Sequence, residues 1–329
     1  MTVTTLSNKQ NLCEVLTAGR YFKRKFGVKV YKTPISIMGF TCPNIDGFVA
    51  RGGCIYCENE SFSPNMENGQ RDFKLNFNSK ENPHLSRQIL QLKSQYKRTK
   101  TKLAKKFNAK KFIVYFQSFS NTYAPFSTLK ALYDEAFLLD DVIGISIGTR
   151  SDCIDEQVLK YLKSKKDEGK EVWLEFGVQS SFDETLSYIN RGHDFANVVK
   201  WIKKTKEYDI NICAHIIFGL PNESQEMMLK SFSDICGLGV DSVKIHPLYI
   251  TKNTKLAKEY KNNKFAPISE EEYLDTLVKA IIMMPKNIIL QRITAGVSDE
   301  SLLAPKWCYN SHEQKSSAKN ALLKAGFLY

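Results

Sequence analysis

The sequence predicts an α/β protein, built as a partial (β/α)6 TIM-like barrel with parallel strands and a helical C-terminal extension. Two observations predict this fold class. Six short apolar runs alternate with amphipathic segments between residues 35 and 250, and the 329-residue chain can hold one barrel of about 250 residues with terminal additions. An open doubly wound sheet remains an alternative, because the order of strands cannot be read from a sequence.

Each apolar run is predicted to be a strand, and each segment between two runs contains a predicted helix. The predicted strands cover residues 35–40, 111–116, 142–147, 172–178, 210–218 and 240–245. The predicted helices cover residues 12–26, a segment from 83 onward, and residues 128–139, 156–165, 195–208, 225–236, 270–284 and 311–326. The polar stretch 61–82 is predicted to be a loop, and the apolar run 287–290 is assigned to a cap over the barrel.

Three regions follow from this pattern: a lead-in (1–27), a core barrel (28–250) and a C-terminal helical cap (251–329). No apolar run approaches the roughly 20 residues that a membrane helix needs, and the opening MTVTTLSNKQ lacks the apolar core of a signal peptide. We therefore expect a cytoplasmic protein with no membrane partner. Its eight cysteines are then reduced thiols or ligands, not disulfides.

Three of the cysteines lie close together, directly after the first predicted strand. Eleven residues separate Cys42 from Cys54, and two separate Cys54 from Cys57. Three thiolates can bind three irons of a [4Fe–4S] cubane and leave the fourth iron open to S-adenosylmethionine (SAM). The carboxyl ends of barrel strands are where active sites lie, which suits a catalytic cluster. A zinc site, with His84 or a distant cysteine as fourth ligand, and a group of plain free thiols are the alternatives.

The motifs around and beyond these cysteines resemble the radical SAM superfamily, in the branch of the elongator catalytic subunit and its short bacterial relatives. The matching blocks, between residues 29 and 247, are GFTCPN, GGCIYC, YFQSFSNTYAP, SIGTRSDC, WLEFGVQS, INRGHD and HIIFGLPNES. The resemblance implies a [4Fe–4S] cluster, reductive cleavage of SAM to a 5′-deoxyadenosyl radical, and a ferredoxin- or flavodoxin-type electron donor. It does not extend to the acetyltransferase domain of that subunit, so acetyl-CoA chemistry is not implied.

Residues at the predicted strand ends are candidates for contacts with SAM. The resemblance implies that Gln117 and Ser118 lie near the methionine part. It also implies that Glu175 binds the ribose hydroxyls; a salt bridge to a barrel lysine or arginine is the alternative. Arg191 is assigned to the SAM carboxylate, or else to a solvated helix end. The candidate cofactor-binding residues are Gln117, Ser118, Glu175, Gln179, Arg191, Ile217 and Gly219.

Three other residues near predicted strand ends have less certain roles. His246, at the end of the sixth predicted strand, is a candidate for contact with the substrate. Cys153 is either a hydrogen donor or a small buried side chain, and the latter is the default for a cysteine. His215, inside a predicted strand, is expected to be a core histidine with a satisfied hydrogen bond.

A net charge of +12 favours a polyanionic partner. No acidic residue occurs between Asn82 and Tyr133, and the helix predicted there carries Tyr96 together with Lys93, Lys97, Arg98, Lys100, Lys102, Lys105 and Lys106. Such cations can neutralise phosphates, and a tyrosine can stack on a base. A solvated helix face is the alternative.

The family resemblance also implies a tRNA substrate, because bacterial relatives in this branch are linked to 5-substituted wobble uridines. The sequence therefore predicts a radical SAM enzyme that modifies a wobble-uridine side chain, in a step of the carboxymethylaminomethyl-to-aminomethyl type. A radical SAM enzyme for a small molecule or peptide, and a non-catalytic metal-cluster protein that binds RNA, are the alternatives. The sequence makes no prediction of oligomeric state.

Overall fold

The structure is a computed structural model that describes residues 12–58, 65–66, 73–77, 79 and 81–329. Its main feature is a curled sheet of seven parallel strands in the order β2-β3-β4-β5-β6-β7-β9. The predicted α/β barrel-like fold class is confirmed, with seven strands where six were expected. The strands of this sheet are β2 (Val30–Ile35), β3 (Lys111–Phe116), β4 (Val142–Thr149), β5 (Glu171–Gln179), β6 (Asn211–Phe218), β7 (Ser242–Pro247) and β9 (Ile289–Arg292).

Two small pairings complete the strands, and helices cover the outside of the sheet. The strand β1 (Cys13–Glu14) pairs with β11 (Phe327–Leu328), and β8 (Ile250–Thr251) pairs with β10 (Leu302–Ala304). The helices are Ala18–Phe26, Pro43–Asp46, Leu85–Phe107, Phe126–Phe137, Glu156–Asp167, Asp183–Tyr188, Phe195–Glu207, Gln225–Gly237, Lys255–Lys261, Glu270–Met283 and Ser311–Lys324. The sequence analysis did not predict three of them, Pro43–Asp46, Asp183–Tyr188 and Lys255–Lys261. Most of the predicted loop 61–82 lies outside the described residues.

The first strand was predicted to start five residues too late. The residues after β2 are mostly apolar and buried, but their backbone is hydrogen-bonded to side chains of a helix and not to a neighbouring strand. The segment after β2 is buried without belonging to the sheet, and glutamine side chains of the helix Leu85–Phe107 satisfy its backbone. Gln95 accepts from the Ser36 N–H at 2.8 Å and donates to the Ser36 carbonyl at 2.9 Å. Gln91 accepts from the Met38 N–H, and the Gln88 amide donates to the Met38 carbonyl. These bonds meet the requirement that a buried backbone be hydrogen-bonded.

The apolar run assigned to the cap is a strand of the barrel instead. The strand β9 pairs in parallel with β7 through Ser242–Ile289 and Val243–Leu290. The Leu290 N–H also donates to the Leu16 carbonyl at 2.8 Å, so the N-terminal segment closes onto this edge. The strand has only four residues and follows the predicted end of the barrel at residue 250, so the sequence did not show that it joins the sheet. The division into a lead-in, a core barrel and a C-terminal cap, with boundaries at residues 27 and 250, stays a proposal. In it, the C-terminal region contributes the strand β9 to the barrel sheet.

The main hydrophobic core lies between the outer face of the sheet and the surrounding helices. Successive residues of β3 to β7 point alternately to this core and to the barrel interior, as the two-residue period of a strand requires, and the apolar ones lie mainly on the core side. The inward positions are largely polar, which leaves the interior to a binding site. No helix in the described part of the chain is long and apolar enough to cross a membrane.

Candidate active site

Cys42, Cys54 and Cys57, hereafter the loop cysteines, lie on one loop between β2 and the long helix. Cys54 is buried, and the other two are half-buried. Gly52 and Gly53 have φ of +83° and +74°, a left-handed conformation that glycine adopts without steric cost. The chain can therefore reverse its direction just before Cys54. All three thiols line one cavity of about 510 Å³ at the carboxyl ends of the strands.

The spacing of the loop cysteines disfavours a single zinc ion. In the described part of the chain, one group of three candidate ligand atoms lies within 4.8 Å of one another, and it is Glu175, Cys213 and His215. Thiolates around one tetrahedral zinc stand roughly 3.8 Å apart, given a Zn–S distance of about 2.3 Å. The three loop sulfurs are not such a group, so at least one pair of them is more than 4.8 Å apart. The wider spacing fits a cubane cluster better than one ion.

Two buried arginines lie beside the loop cysteines. The Arg191 Nη1 lies 3.7 Å from the Cys54 sulfur, and its Nη2 donates to the Gly177 carbonyl. Arg150 makes two hydrogen bonds to Asp152, at 2.8 and 2.7 Å. The Arg150 Nη1 and Arg191 Nε are buried without a hydrogen-bond partner among the described residues. Buried cationic donors without partners are costly, so these atoms fit an anionic group such as a thiolate-bound iron–sulfur cluster or the carboxylate of SAM.

The Cys57 thiol is protonated in the metal-free protein. Its burial, followed by the neighbouring thiols of Cys54 and Cys42, raises its pKa well above the ordinary value. Metal ligation requires the thiolate, so binding of a cluster releases this proton. Assembly of the site is therefore expected to depend on pH.

The turn after β3 brings Gln117 and Ser118 to the cavity wall, as the sequence analysis expected. Ser118 and Phe119 have φ of +74° and +59°, a conformation that costs side-chain-bearing residues on the order of 1–3 kcal/mol each. The Ser118 hydroxyl hydrogen-bonds that of Ser36 at 2.7 Å. Two adjacent strained residues at a cavity rim are typical of a ligand-binding turn. Their contact with SAM remains a prediction.

Glu175 is at the centre of a buried network of charges inside the barrel. Its side chain has no exposed area and accepts hydrogen bonds from Lys32 at 2.5 Å, from Ser146 at 2.5 Å and from Lys244. The His215 Nε2 lies 2.7 Å from the same carboxylate. The two lysines and His215 outweigh the effect of burial and hold the pKa of Glu175 well below its usual range.

This network corresponds to the salt-bridge alternative for Glu175, and the carboxylate does not need SAM to satisfy it. Glu175 still lines the cavity, so its contact with the ribose stays a prediction. Lys32 and Lys244, the two lysines that pair with Glu175, were not predicted from the sequence. A lysine inside an apolar strand, in KVYKTPI and SVKIHP, was the available signal.

Gln179 and Arg191 both reach the cavity from the end of β5 and the turn beyond it. Gln179 has φ of +75° and lines the wall. A Cβ on Gly177 would lie 2.8 Å from the Gln179 Nε2 and 3.0 Å from the Arg191 Nη2, so the glycine leaves space for both side chains. Arg191 is 5% exposed, which makes the solvated-helix-end alternative wrong.

Two candidate cofactor-binding residues, Ile217 and Gly219, lie at the end of β6 and just beyond it. Ile217 lines the cavity, whereas Gly219 does not. Gly219 lies one residue beyond the end of β6, and a Cβ added there would lie 2.6 Å from the Ile268 Cγ2. The contact of Gly219 with the cofactor stays a prediction. His246 lines the cavity, and its buried Nε2 has no hydrogen-bond partner among the described residues.

Cys153 does not line this cavity. Its sulfur lies 3.6 Å from an Asp152 oxygen, and burial raises the pKa of the thiol. His215 is a satisfied histidine, as expected, since its Nε2 faces Glu175.

The basic helix Leu85–Phe107 differs from its predicted role in three ways. Tyr96 is buried and its hydroxyl donates to the Asp140 carbonyl, so the prediction that it stacks on a base is wrong. Lys93 and Lys100 pair with acidic residues of neighbouring segments. The basic end of the helix is also far from the cavity mouth, because the Phe107 carbonyl accepts from Lys29, at the amino-terminal end of β2.

A second basic surface, which the sequence analysis missed, lies beside the loop cysteines. The Leu256 N–H of the helix Lys255–Lys261 donates to the Ile55 carbonyl at 2.9 Å, which fixes this helix on the cysteine loop. We call the exposed lysines of this helix and of its two flanking turns the rim lysines: Lys252, Lys255, Lys258, Lys261 and Lys264. None of them lies within ion-pair distance of a carboxylate in the described residues. The signal was the spacing of lysines in TKNTKLAKEYKNNK.

Comparisons with known proteins find matching family models and relatives. Residues 49–235 match the family model described as the Radical SAM superfamily, and residues 240–324 match the Radical_SAM C-terminal domain. The chain is 34% identical over 291 residues to protein YhcC of Escherichia coli (strain K12), covering 87% of this chain and 85% of that protein. Cys42 precedes the matched residues, and Cys54 and Cys57 lie within them.

Two further similarities concern proteins of the elongator type. A tRNA uridine(34) acetyltransferase of Methanocaldococcus infernus is 30% identical over 159 residues, covering 47% of this chain and 29% of that one. The solved structure of Elp3 from the same archaeon superposes with a TM-score of 0.60 at 18% identity, covering 90% of this chain and 63% of that chain. The first similarity is local, and the second concerns the fold alone.

Proposed function

The chain belongs to the Radical SAM superfamily, and from this membership we propose that the loop cysteines hold its [4Fe–4S] cluster in an enzyme that modifies a wobble uridine of tRNA. When bound, the cluster and SAM supply one-electron cleavage of the sulfonium bond and abstraction of hydrogen by the resulting 5′-deoxyadenosyl radical. The residues of this chain provide ligands, position the bound groups and exclude water.

The predicted SAM contacts that line the cavity have defined tasks in this proposal, and Arg150 joins them. Arg191 and Arg150 offer buried unpaired nitrogens to the anionic end of the site. Gln117 and Ser118 offer polar atoms at a strained turn, and the Ile217 side chain offers an apolar surface for adenine. Gln179 offers its amide to the ribose beside Glu175. A ferredoxin- or flavodoxin-type protein is the proposed electron donor.

The observation that carries the tRNA proposal is the group of rim lysines beside the loop cysteines. Five exposed lysines without carboxylate partners in the described residues can neutralise phosphates where the cavity opens. The local similarity to a tRNA uridine(34) acetyltransferase supports the same partner. The proposed reaction converts a carboxymethylaminomethyl side chain towards an aminomethyl one. Hydrogen abstraction from the methylene between the amine and the carboxylate, followed by return of one electron to the oxidised cluster, would give an iminium. Addition of water would then break the C–N bond, release the two-carbon unit as glyoxylate and leave the aminomethyl group.

The reaction is tested by comparing modified wobble nucleosides in tRNA from cells with and without the gene, measured by liquid chromatography and mass spectrometry. We expect carboxymethylaminomethyluridine to accumulate when the gene is absent and to fall again when it is restored. Unchanged nucleosides would reject the tRNA proposal in favour of a small-molecule or peptide substrate. Restoration with a Cys57→Ala gene is the matched control, because it keeps the protein but removes a cluster ligand.

The RNA-binding surface is tested separately with two triple variants of equal charge change. One reverses three rim lysines (Lys252→Glu, Lys258→Glu, Lys261→Glu), and the other reverses three lysines of the outer helix (Lys97→Glu, Lys102→Glu, Lys106→Glu). We expect the rim variant to bind tRNA at least tenfold more weakly and to lower the slope of log K against log salt by about 2–3. A larger loss in the outer-helix variant would move the interface to that helix.

A further inference from the structure

The cavity below the loop cysteines carries an excess of positive charge. Among the described residues that line it, Glu175 is the one carboxylate, while the cationic side chains are Arg150, Arg191, Lys244 and Arg292. Lys244 pairs with Glu175, and Arg150 pairs with Asp152. Arg191 faces the Cys54 sulfur. Arg292 has no carboxylate within ion-pair distance in the part of the chain that the structure describes.

Arg292 lies in one corner of the cavity with His246 and Lys244. Lys244 and Arg292 are register partners on the neighbouring strands β7 and β9. His246 follows Lys244 by two residues on β7, so both side chains point to the same face of the sheet. The charge of Arg292 reaches His246, since after burial it is the largest cause that lowers the pKa of that histidine.

The same corner contains an unsatisfied polar atom. The His246 Nε2 is buried and has no hydrogen-bond partner among the described residues, although its ring stands 5.6 Å from that of His215. A buried nitrogen without a partner is costly unless a ligand completes it, and the exposed guanidinium of Arg292 on the neighbouring strand is available to the same ligand. An acceptor with negative charge satisfies both groups at once, because a carboxylate accepts from Arg bidentately and from an imidazole N–H.

We propose that Arg292 and His246 form an anion subsite that binds a carboxylate of the substrate. This inference rests on the proposed function and extends it, because the carboxymethylaminomethyl side chain ends in a carboxylate and the aminomethyl product has none. The subsite lies at the β7–β9 end of the sheet, whereas Arg191 follows β5 and adjoins the loop cysteines. Substrate and SAM carboxylates thus have separate cationic partners, and loss of the substrate carboxylate weakens product binding.

The first test measures binding of two nucleosides, 5-carboxymethylaminomethyluridine and 5-aminomethyluridine, to the reconstituted enzyme with SAM by calorimetry. The wild type is expected to prefer the carboxylated nucleoside by at least tenfold. Arg292→Gln, an exposed position on β9 that should not disturb folding, is expected to reduce this preference below threefold. Lys286→Gln removes the same charge at an exposed site outside the cavity and should keep the wild-type ratio. Equal binding by the wild type, or full preference in Arg292→Gln, would overturn the proposal.

The second test separates failure of this inference from failure of the tRNA proposal. Acetate and acetamide are titrated against the protein while the ring resonances of His246 are followed by NMR, with His246→Gln used to assign them. Acetate should shift these resonances and acetamide should not, and Arg292→Gln should abolish the acetate effect. If this result holds while tRNA nucleosides are unchanged without the gene, the subsite stands and the tRNA substrate fails. If acetate and acetamide behave alike, the subsite fails regardless of the tRNA result.

Discussion

Replacing Glu175 by glutamine tests the buried charge network that forms the floor of the cavity. The carboxylate is fully buried and bonded to Lys32 and Lys244, whose side chains are 16% and 8% exposed. Glutamine preserves the shape but leaves two largely buried ammonium groups without a counter-charge. Removing one partner from such a group typically costs about 3–5 kcal/mol.

That free energy translates into a measurable change of melting temperature. An unfolding entropy of about 2.1 cal/mol/K per residue gives roughly 0.7 kcal/mol/K for this chain, so Glu175→Gln should lower Tm by about 4–7 °C. Differential scanning calorimetry of the metal-free protein measures it. The matched control is Glu171→Gln on the same strand, because Glu171 is also buried but pairs with the half-exposed Lys25. We expect a control shift of no more than about 2 °C.

The difference in Tm between the wild type and Glu175→Gln also has an expected pH dependence. The pKa of Glu175 is held well below its ordinary value of about 4.5. The stabilisation by its charge is therefore complete above that pH and is lost only as the pH falls towards the lower folded-state pKa. The Tm difference between wild type and Glu175→Gln should stay constant from pH 7 to pH 5. The reasoning is refuted if Glu175→Gln melts within 2 °C of the wild type, or no lower than Glu171→Gln.

Three other predictions address single residues. Alanine at Cys42, Cys54 or Cys57 should each reduce bound iron after anaerobic reconstitution to a small fraction of the wild-type content, measured by iron assay, whereas Cys153→Ala should keep the full content because its sulfur is outside the cavity. Tyr96→Phe should cost about 1 kcal/mol of unfolding free energy in urea, because it removes the hydrogen bond to the Asp140 carbonyl, and it should leave tRNA affinity unchanged; a loss of affinity without a loss of stability would contradict the burial of this ring. Burial and the charge of Lys244 lower the pKa of His215 to about 4, so its contribution to stability is complete above about pH 6.5 and falls as the pH drops towards 4. Stability measured by urea denaturation at pH 7, 6 and 5 should thus fall less in His215→Asn than in the wild type, with the exposed His312→Asn as control, and identical slopes would refute the assignment.

Strands that consist of a continuous apolar run could be predicted from the sequence. Strands whose apolar residues are interrupted by charged residues or proline could not. The run KFIVYF is β3 with the predicted bounds, because its alternate residues are buried on one face in the core. In contrast, β2 reads VYKTPI, where an inward lysine and an edge-strand proline interrupt the pattern. The buried segment beyond β2 looked like a strand because burial, not sheet pairing, determines apolar content.

Site residues that are close together in the sequence could be predicted. Contacts between residues on different strands could not. The spacing of the loop cysteines is contained in one loop, and it predicted their common location. The partners of Glu175 come from β2, β4, β6 and β7, so no short segment reveals that two lysines already satisfy it. The rim lysines likewise lie far from the loop cysteines in the sequence. The packing of the helix Lys255–Lys261 on the cysteine loop brings them to the site.

The most direct test of the account is formation of 5′-deoxyadenosine by the anaerobically reconstituted protein. Wild-type protein given SAM and dithionite should release 5′-deoxyadenosine only when the reductant is present, and should carry about four irons per chain with an oxygen-sensitive visible absorption. The Cys57→Ala variant should release none, because the cluster loses one of its three ligands. One bound zinc per chain and no 5′-deoxyadenosine from the wild type would contradict the assignment of the loop cysteines.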